Sequence, residues 1–324
     1  MIGSDPWVGT ILDSASPVSA WVTLLDSMKA LALSASSPVE LHNLTKSPDR
    51  LISECAWELW QGYPTAVIRT SQALAEWWNG LPVGTGRAVL VLDALSLREL
   101  APMLGGAEAR GIKPVQVKVT GSEAPSDTDQ FAKALGVPSR GSLKNNAMPA
   151  GFVFSASGVQ TDVLNLPFED CLGSVPSAQN LFLWHTWLDD QMHVYHRLPD
   201  QIYSMAAAGL QGDGFWKFVD RLRQGRRLVV TSDHGYAVAK LFSTEEKDEQ
   251  VVHALRDVFG ASRNKADTQP WPHRFMPPIV MTANGHHMVM GQRKWKVQGG
   301  FPHADHGGLT LLEVAVPFIE LPAI

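Results

Sequence analysis

The chain has 324 residues, 45% of them hydrophobic and 18% charged, with a formal net charge of -5 and 2 cysteines. That length and apolar content fit one large α/β domain, or an ordinary one with an added module, and exclude a disordered chain. The weak negative charge excludes a global electrostatic footprint for nucleic acid or anionic membrane, and the distant Cys55 and Cys171 exclude a disulfide scaffold or cysteine-rich zinc site.

At the N-terminus, Met-Ile-Gly-Ser-Asp-Pro-Trp lacks the basic start and apolar core of a signal peptide. No apolar run approaches the roughly 18 residues a membrane helix needs. The expectation is a cytoplasmic chain with no membrane partner. Residues 1–80 read as a helical accessory region. Leu24, Leu25, Met28 and Leu31 have helical spacing within 14–33, with Pro17 near the start. The spacing predicts further helices over 48–60, capped by Ser47, and over 65–78, closed by Asn79-Gly80. Trp57, Trp60, Trp77 and Trp78 concentrate here, and helix packing is their expected use.

Residues 81–324 change character. Apolar strands are expected at 88–92, 115–120, 181–186 and 228–231, with short ones at 278–282 and 287–290. Helices are expected at 96–104 (stopped by Gly105-Gly106), 129–135 and 214–222, and a closing helix at 309–316. A loop-rich stretch fills the middle. Strands alternating with helices predict an α/β/α sandwich with a mostly parallel central sheet.

Three of these strands end on metal-ligand residue types. The first delivers Asp93. The third leads into Asp189 and His193, four apart and so on one helical face. The fourth delivers Asp233 and His234, and His306-Gly-Gly lies just before the closing helix. If the strands are parallel neighbours, these groups share one sheet edge, where chemistry collects in open α/β folds. Carboxylates and imidazoles together suit a two-metal centre for phosphoryl chemistry. Pro125-Ser-Asp-Thr128 before a helix offers a nucleophile, either Thr128 or Ser126. Arg98, Lys118, Arg140 and Lys144 are candidates to neutralise substrate phosphate.

Val-Leu-Asp93-Ala, Leu-Asp189-x3-His193, Thr-Ser-Asp233-His234-Gly235 and His306-Gly-Gly-Leu-Thr-Leu-Leu-Glu313-Val-Ala-Val-Pro317 together resemble the PglZ domain. That domain is a branch of the alkaline phosphatase superfamily found in bacterial phage-exclusion systems and fused to some response regulators. The similarity covers roughly residues 85 to 320. It implies an alkaline phosphatase-like fold with two zinc ions, manganese being the other fitting metal. Asp93, Thr128, Asp233 and His234 would hold one ion, and Asp189, His193 and His306 the other. Thr128 would be the nucleophile, forming a phosphothreonine intermediate that is then hydrolysed. Asp190 adjoins Asp189 and His303 precedes His306 by three residues, so either could replace its neighbour. The sulfatase-type Cys/Ser-x-Pro-x-Arg segment is missing, which argues against sulfate esters.

The resulting expectation is a metal-dependent phosphodiesterase acting on nucleotide or oligonucleotide phosphodiesters, with protein partners in a phage-defence complex. Two other readings compete. One is a non-catalytic, metal-stabilised scaffold docked through its tryptophan-rich helices. The other is a phosphotransferase or phosphomutase of the same superfamily.

Overall fold

The computed structural model describes residues 6–242, 244–298, 300 and 304–324. Its first helices are α1 (Pro6–Leu12), α2 (Pro17–Ser34), α3 (Pro38–Glu54), α4 (Glu58–Ala66) and α5 (Thr70–Gly80). Ser16 and Ser37 cap α2 and α3, accepting from Ser19 N at 3.2 Å and Glu40 N at 3.1 Å, and each is followed by proline at the first helical position.

Two of the expected helix boundaries are corrected. Pro48 does not open a helix but lies inside α3, where it removes a backbone donor. The helix runs through it because its buried face, from Leu41 to Ile52, stays fixed to the body of the protein, with Asp49 accepting from Leu311 N at 2.8 Å. The helix expected over 65–78 is broken between α4 and α5. There Ile68 O accepts from Gly121 N at 3.1 Å, so the chain extends to lie beside the end of a strand.

The central sheet contains β1 (Gly86–Leu92), β2 (Gln116–Gly121), β3 (Gln160–Leu164), β4 (Asn180–His185), β5 (Arg226–Thr231) and a closing strand, Ala315–Leu321. Their order is β2, closing strand, β5, β1, β4, β3. β5, β1, β4 and β3 pair in parallel, and the closing strand is antiparallel to both its neighbours. The stretch expected to be a closing helix is thus one turn, α12 (Leu311–Val314), followed by a fully buried strand. Pro317 is unusual inside a sheet. It is accommodated because pairing to β5 covers only Ile319–Leu321, while Thr231 Oγ1 donates to the Pro317 carbonyl at 2.8 Å. β3, within the expected loop-rich stretch, is the far edge strand.

Side chains alternate across β1 and join two covering layers. Ala88, Leu90 and Leu92 face a cluster with Trp21, Trp60, Leu210 and Phe218, from α2, α4, α9 (Pro199–Gln211) and α10 (Asp213–Arg223). Val89 and Val91 face Leu74, Trp78 and Phe131, from α5 and α7 (Thr128–Ala134). The first helices therefore supply part of both layers of an α/β/α sandwich. α6 (Leu100–Glu108) runs through Gly105-Gly106 instead of stopping there. A Cβ on Gly106 would fall 2.5 Å from Trp216 Nε1, so glycine serves close helix packing. Residues Asn264–Ala266, Val280–Ala283 and His286–Val289 form a separate three-stranded sheet.

Candidate active site

The sheet order brings the carboxyl ends of β1, β4 and β5 to one edge, with the amino end of the antiparallel closing strand beside them. Asp93 follows β1 directly and is fully buried. After it, Ala94 adopts a left-handed φ of 62° that lets its N–H donate to Asp233 Oδ1 at 3.1 Å. Asp233 and His234, fully buried, leave β5. His234 Nδ1 lies 2.9 Å from Gly235 O, which fixes the proton there and leaves the Nε2 lone pair facing Asp233 Oδ2 at 3.4 Å and Asp93 Oδ1 at 3.7 Å. Asp93, Asp233 and His234 form a close trio of potential ligands.

Thr128 opens α7, with Asp127 as its cap. Its Oγ1 stands 2.8 Å from Asp233 Oδ2, 3.3 Å from His234 Nε2 and 3.4 Å from Asp93 Oδ1. It is half-buried, so one side stays open. Ser126 is placed differently: it is buried, and its Oγ donates to Gly308 O at 2.9 Å and accepts from Gly307 N at 3.1 Å.

A second trio joins Asp189 and His193, on α8 (Trp187–Val194), with His306. Asp189 Oδ1 is buried without a hydrogen-bond partner, although His193 Nε2 is 3.4 Å away, and His306 Nδ1 is also buried and unpartnered. Asp190 is exposed and accepts from Thr186 Oγ1 at 2.5 Å, outside the trio. His303 lies outside the described residues. The trios touch through His234 and His306, whose rings stack with centroids 4.1 Å apart.

Burial, reinforced by Asp233 and Asp189, pushes the Asp93 carboxyl well above its ordinary range. Burial also raises Asp189, but the imidazoles of His193, His234 and His306 outweigh it and hold this carboxyl low. Burial, then His234, holds His306 down to about 3, so its ring is neutral at ordinary pH. Three carboxylates crowd together, and Asp189 Oδ1 and His306 Nδ1 are buried donor atoms without hydrogen-bond partners. The residues present fit divalent cations, and mixed oxygen and nitrogen donors suit zinc or manganese.

Two neighbours fix Asp93. Its Oδ2 accepts from Trp184 Nε1 at 3.0 Å and from the Arg140 guanidinium, which leaves Oδ1 for Thr128 and any cation. Of the other candidate cations, Arg98 is buried against the Tyr236 carbonyl, Lys118 lies over the Phe318 ring and Lys144 is exposed beyond Arg140. Arg140 alone of this set contacts the trios. Trp184 carried no functional signal in the sequence, because a tryptophan in an apolar strand reads as core.

No protein-family model and no curated protein matches the sequence. Among solved structures, the chain is similar to phosphonoacetate hydrolase from Sinorhizobium meliloti 1021 in complex with phosphonoformate, at 14% identity and TM-score 0.42, over 74% of this chain and 90% of that one. It is also similar to murine ectonucleotide pyrophosphatase/phosphodiesterase 5, at 11% identity and TM-score 0.46, over 74% and 88% of the two chains. These likenesses concern general architecture.

Proposed function

We propose that the chain is a metal-dependent phosphohydrolase, a phosphodiesterase that uses Thr128 as nucleophile, with its chemistry in residues 81–324 and residues 1–80 as an accessory layer. The observation that carries this reading is the position of Thr128 Oγ1 within 3.4 Å of three ligand-type atoms while one side stays open. Cations held by Asp93, Asp233 and His234 and by Asp189, His193 and His306 would stabilise the attacking and leaving oxygens of an in-line displacement. The Thr128 hydroxyl proton is held toward Asp233 Oδ2, which leaves an Oγ1 lone pair for phosphorus. The Thr128 Oγ1–phosphorus bond forms as the bond to the leaving oxygen breaks, the hydroxyl proton passing by way of Asp233 Oδ2 to the departing alkoxide, and water then cleaves the threonine phosphodiester and restores the hydroxyl. Arg140, already against Asp93, has the charge and partial exposure to meet a substrate phosphate.

Nucleotide or oligonucleotide diesters, and a setting in bacterial phage defence, rest on the resemblance to the PglZ domain. Hydrolysis of bis(p-nitrophenyl) phosphate with zinc or manganese tests the reaction. Turnover that vanishes in Thr128→Ala, with a p-nitrophenylphosphoryl group trapped on Thr128 in the wild type, supports it. A chain that loads both sites yet turns over no diester is the scaffold of the competing reading.

A further inference from the structure

Around His306 lies a buried polar system that the reaction above does not use. Glu313, fully buried in α12, accepts at Oε1 from Gly308 N at 2.9 Å and Arg263 Nε at 2.8 Å. Its Oε2 accepts from Thr310 N at 3.1 Å and Thr310 Oγ1 at 2.8 Å. Arg263, only 1% exposed, donates its remaining nitrogens to the carbonyls of Gly291 at 3.0 Å and Arg293 at 3.3 Å. Ser126 holds Gly307 and Gly308 from the nucleophile loop, and Asp49 holds Leu311 N from α3.

Ser126, Asp49 and Glu313 thus grip the backbone from Gly307 to Leu311, and Arg263 reaches it through Glu313. The grip is tight: a Cβ on Gly308 would lie 2.7 Å from Arg263 Nε, and Gly307 has a φ of +95°. An ion pair this deep loses much of its attraction to desolvation, so a matched apolar pair would stabilise the fold about as well. What the pair supplies is direction, because a forked guanidinium and a carboxylate fix several backbone groups at once. The second trio needs that. Asp189 and His193 share one helix, four residues apart, whereas His306 comes from a loop.

We propose that Arg263 and Glu313 are positioning residues for the second metal half-site, holding the Gly307–Thr310 backbone so that His306 stands beside Asp189 and His193 before a cation arrives. This rests on the two-metal reading of the trios. It goes further in making the small sheet region, through Arg263, a determinant of one half-site and not the other.

Zinc titration by calorimetry, with metal analysis after dialysis, tests this on the full chain. The proteins are wild type, Arg263→Lys, Glu313→Gln and the milder Thr310→Val, with Asp189→Ala as the reference for losing the second half-site. Circular dichroism of each metal-free protein reports folding. The expected result is one ion bound as in wild type and a second weakened 10–100-fold in Arg263→Lys and Glu313→Gln, as for other residues that orient ligands. Thr310→Val, which keeps side-chain shape and removes one bond to Glu313, falls at the lower end and decides the matter if the first two do not fold. Equal weakening of both ions in folded variants, or of neither, overturns the positioning role. A wild-type chain without a second ion overturns the two-metal reading itself, and that outcome is visible before any variant is made.

Discussion

The imidazoles of His234 and His306 lie face to face, 4.1 Å between centroids and 17° from parallel. One ring comes from the exit of β5 and the other from the loop before α12, so the stack joins the two ligand trios. Burial, then His234, holds His306 down to about 3, so its ring stays unprotonated and open to a cation well below neutral pH. Loading divalent cations should therefore stabilise the chain strongly, by roughly 4 kcal/mol at a thousandfold excess over the dissociation constant. Thermal unfolding with zinc and with a chelator checks this, and an unchanged midpoint would contradict metal binding in either trio.

Asp233→Asn should abolish diester turnover without unfolding the protein. Asp233 is one of the charges that push Asp93 upward, so a neutral amide relieves repulsion in the metal-free state. The expected midpoint without metal is equal to or above that of wild type, while zinc stabilisation shrinks. A lower metal-free midpoint would show that the carboxylate serves the fold first.

Trp184→Phe removes the indole N–H that donates to Asp93 Oδ2 at 3.0 Å and keeps an aromatic ring edge-on to Phe131. The expected stability loss is about 1–3 kcal/mol, read from urea unfolding. The turnover number should fall roughly tenfold, as for other residues that orient ligands, with less change in KM. Full activity would show that Arg140 holds Asp93 unaided.

Gly235→Ala places a Cβ 2.3 Å from the Leu312 carbonyl oxygen, which is backbone and has little room to move. The same residue donates its N–H to Glu313 O at 2.9 Å. Overpacking of this kind costs about 1–3 kcal/mol or more. Denaturant titration should show that loss, together with lower affinity in both half-sites, since His234 and α12 shift together.

Burial raises the Asp49 carboxyl from an ordinary 3.8 to about 7, with hydrogen bonds from Leu311 N and Gln292 opposing it. The folded chain thus holds this proton more tightly than the unfolded chain does. The stability this contributes is fully present below pH ~4 and is lost as pH rises through about 7. Asp49→Asn should remove that loss, because Gln292 can flip and offer its unpartnered Oε1 to the new amide. Its midpoint should exceed that of wild type at pH 8 and approach it at pH 5. A variant less stable at both pH values would show that the carboxylate's bond to Leu311 N outweighs its burial.

The strand exits were legible in the sequence because several apolar runs each end on Asp, His or Asp-His-Gly, a coincidence that carries weight only as a set, and the i, i+4 pair Asp189/His193 defines a helical face without any fold. The last strand was not legible. Ala315–Leu321 contains Pro317 and follows helix-compatible leucines, and only its place between β2 and β5, with Thr231 serving the Pro317 carbonyl, makes it extended. In the sequence Ser126 competed with Thr128, which the family resemblance favoured. Tertiary structure separated them by turning Ser126 into the His306 loop and Thr128 toward Asp233. The groups that support the ligands, Trp184, Arg263 and Asp49, lie far along the chain from what they support. Local pattern determined which residues could bind a cation. Long-range hydrogen bonding decided how those residues are aimed, because a side chain's direction depends on partners that sequence spacing does not encode.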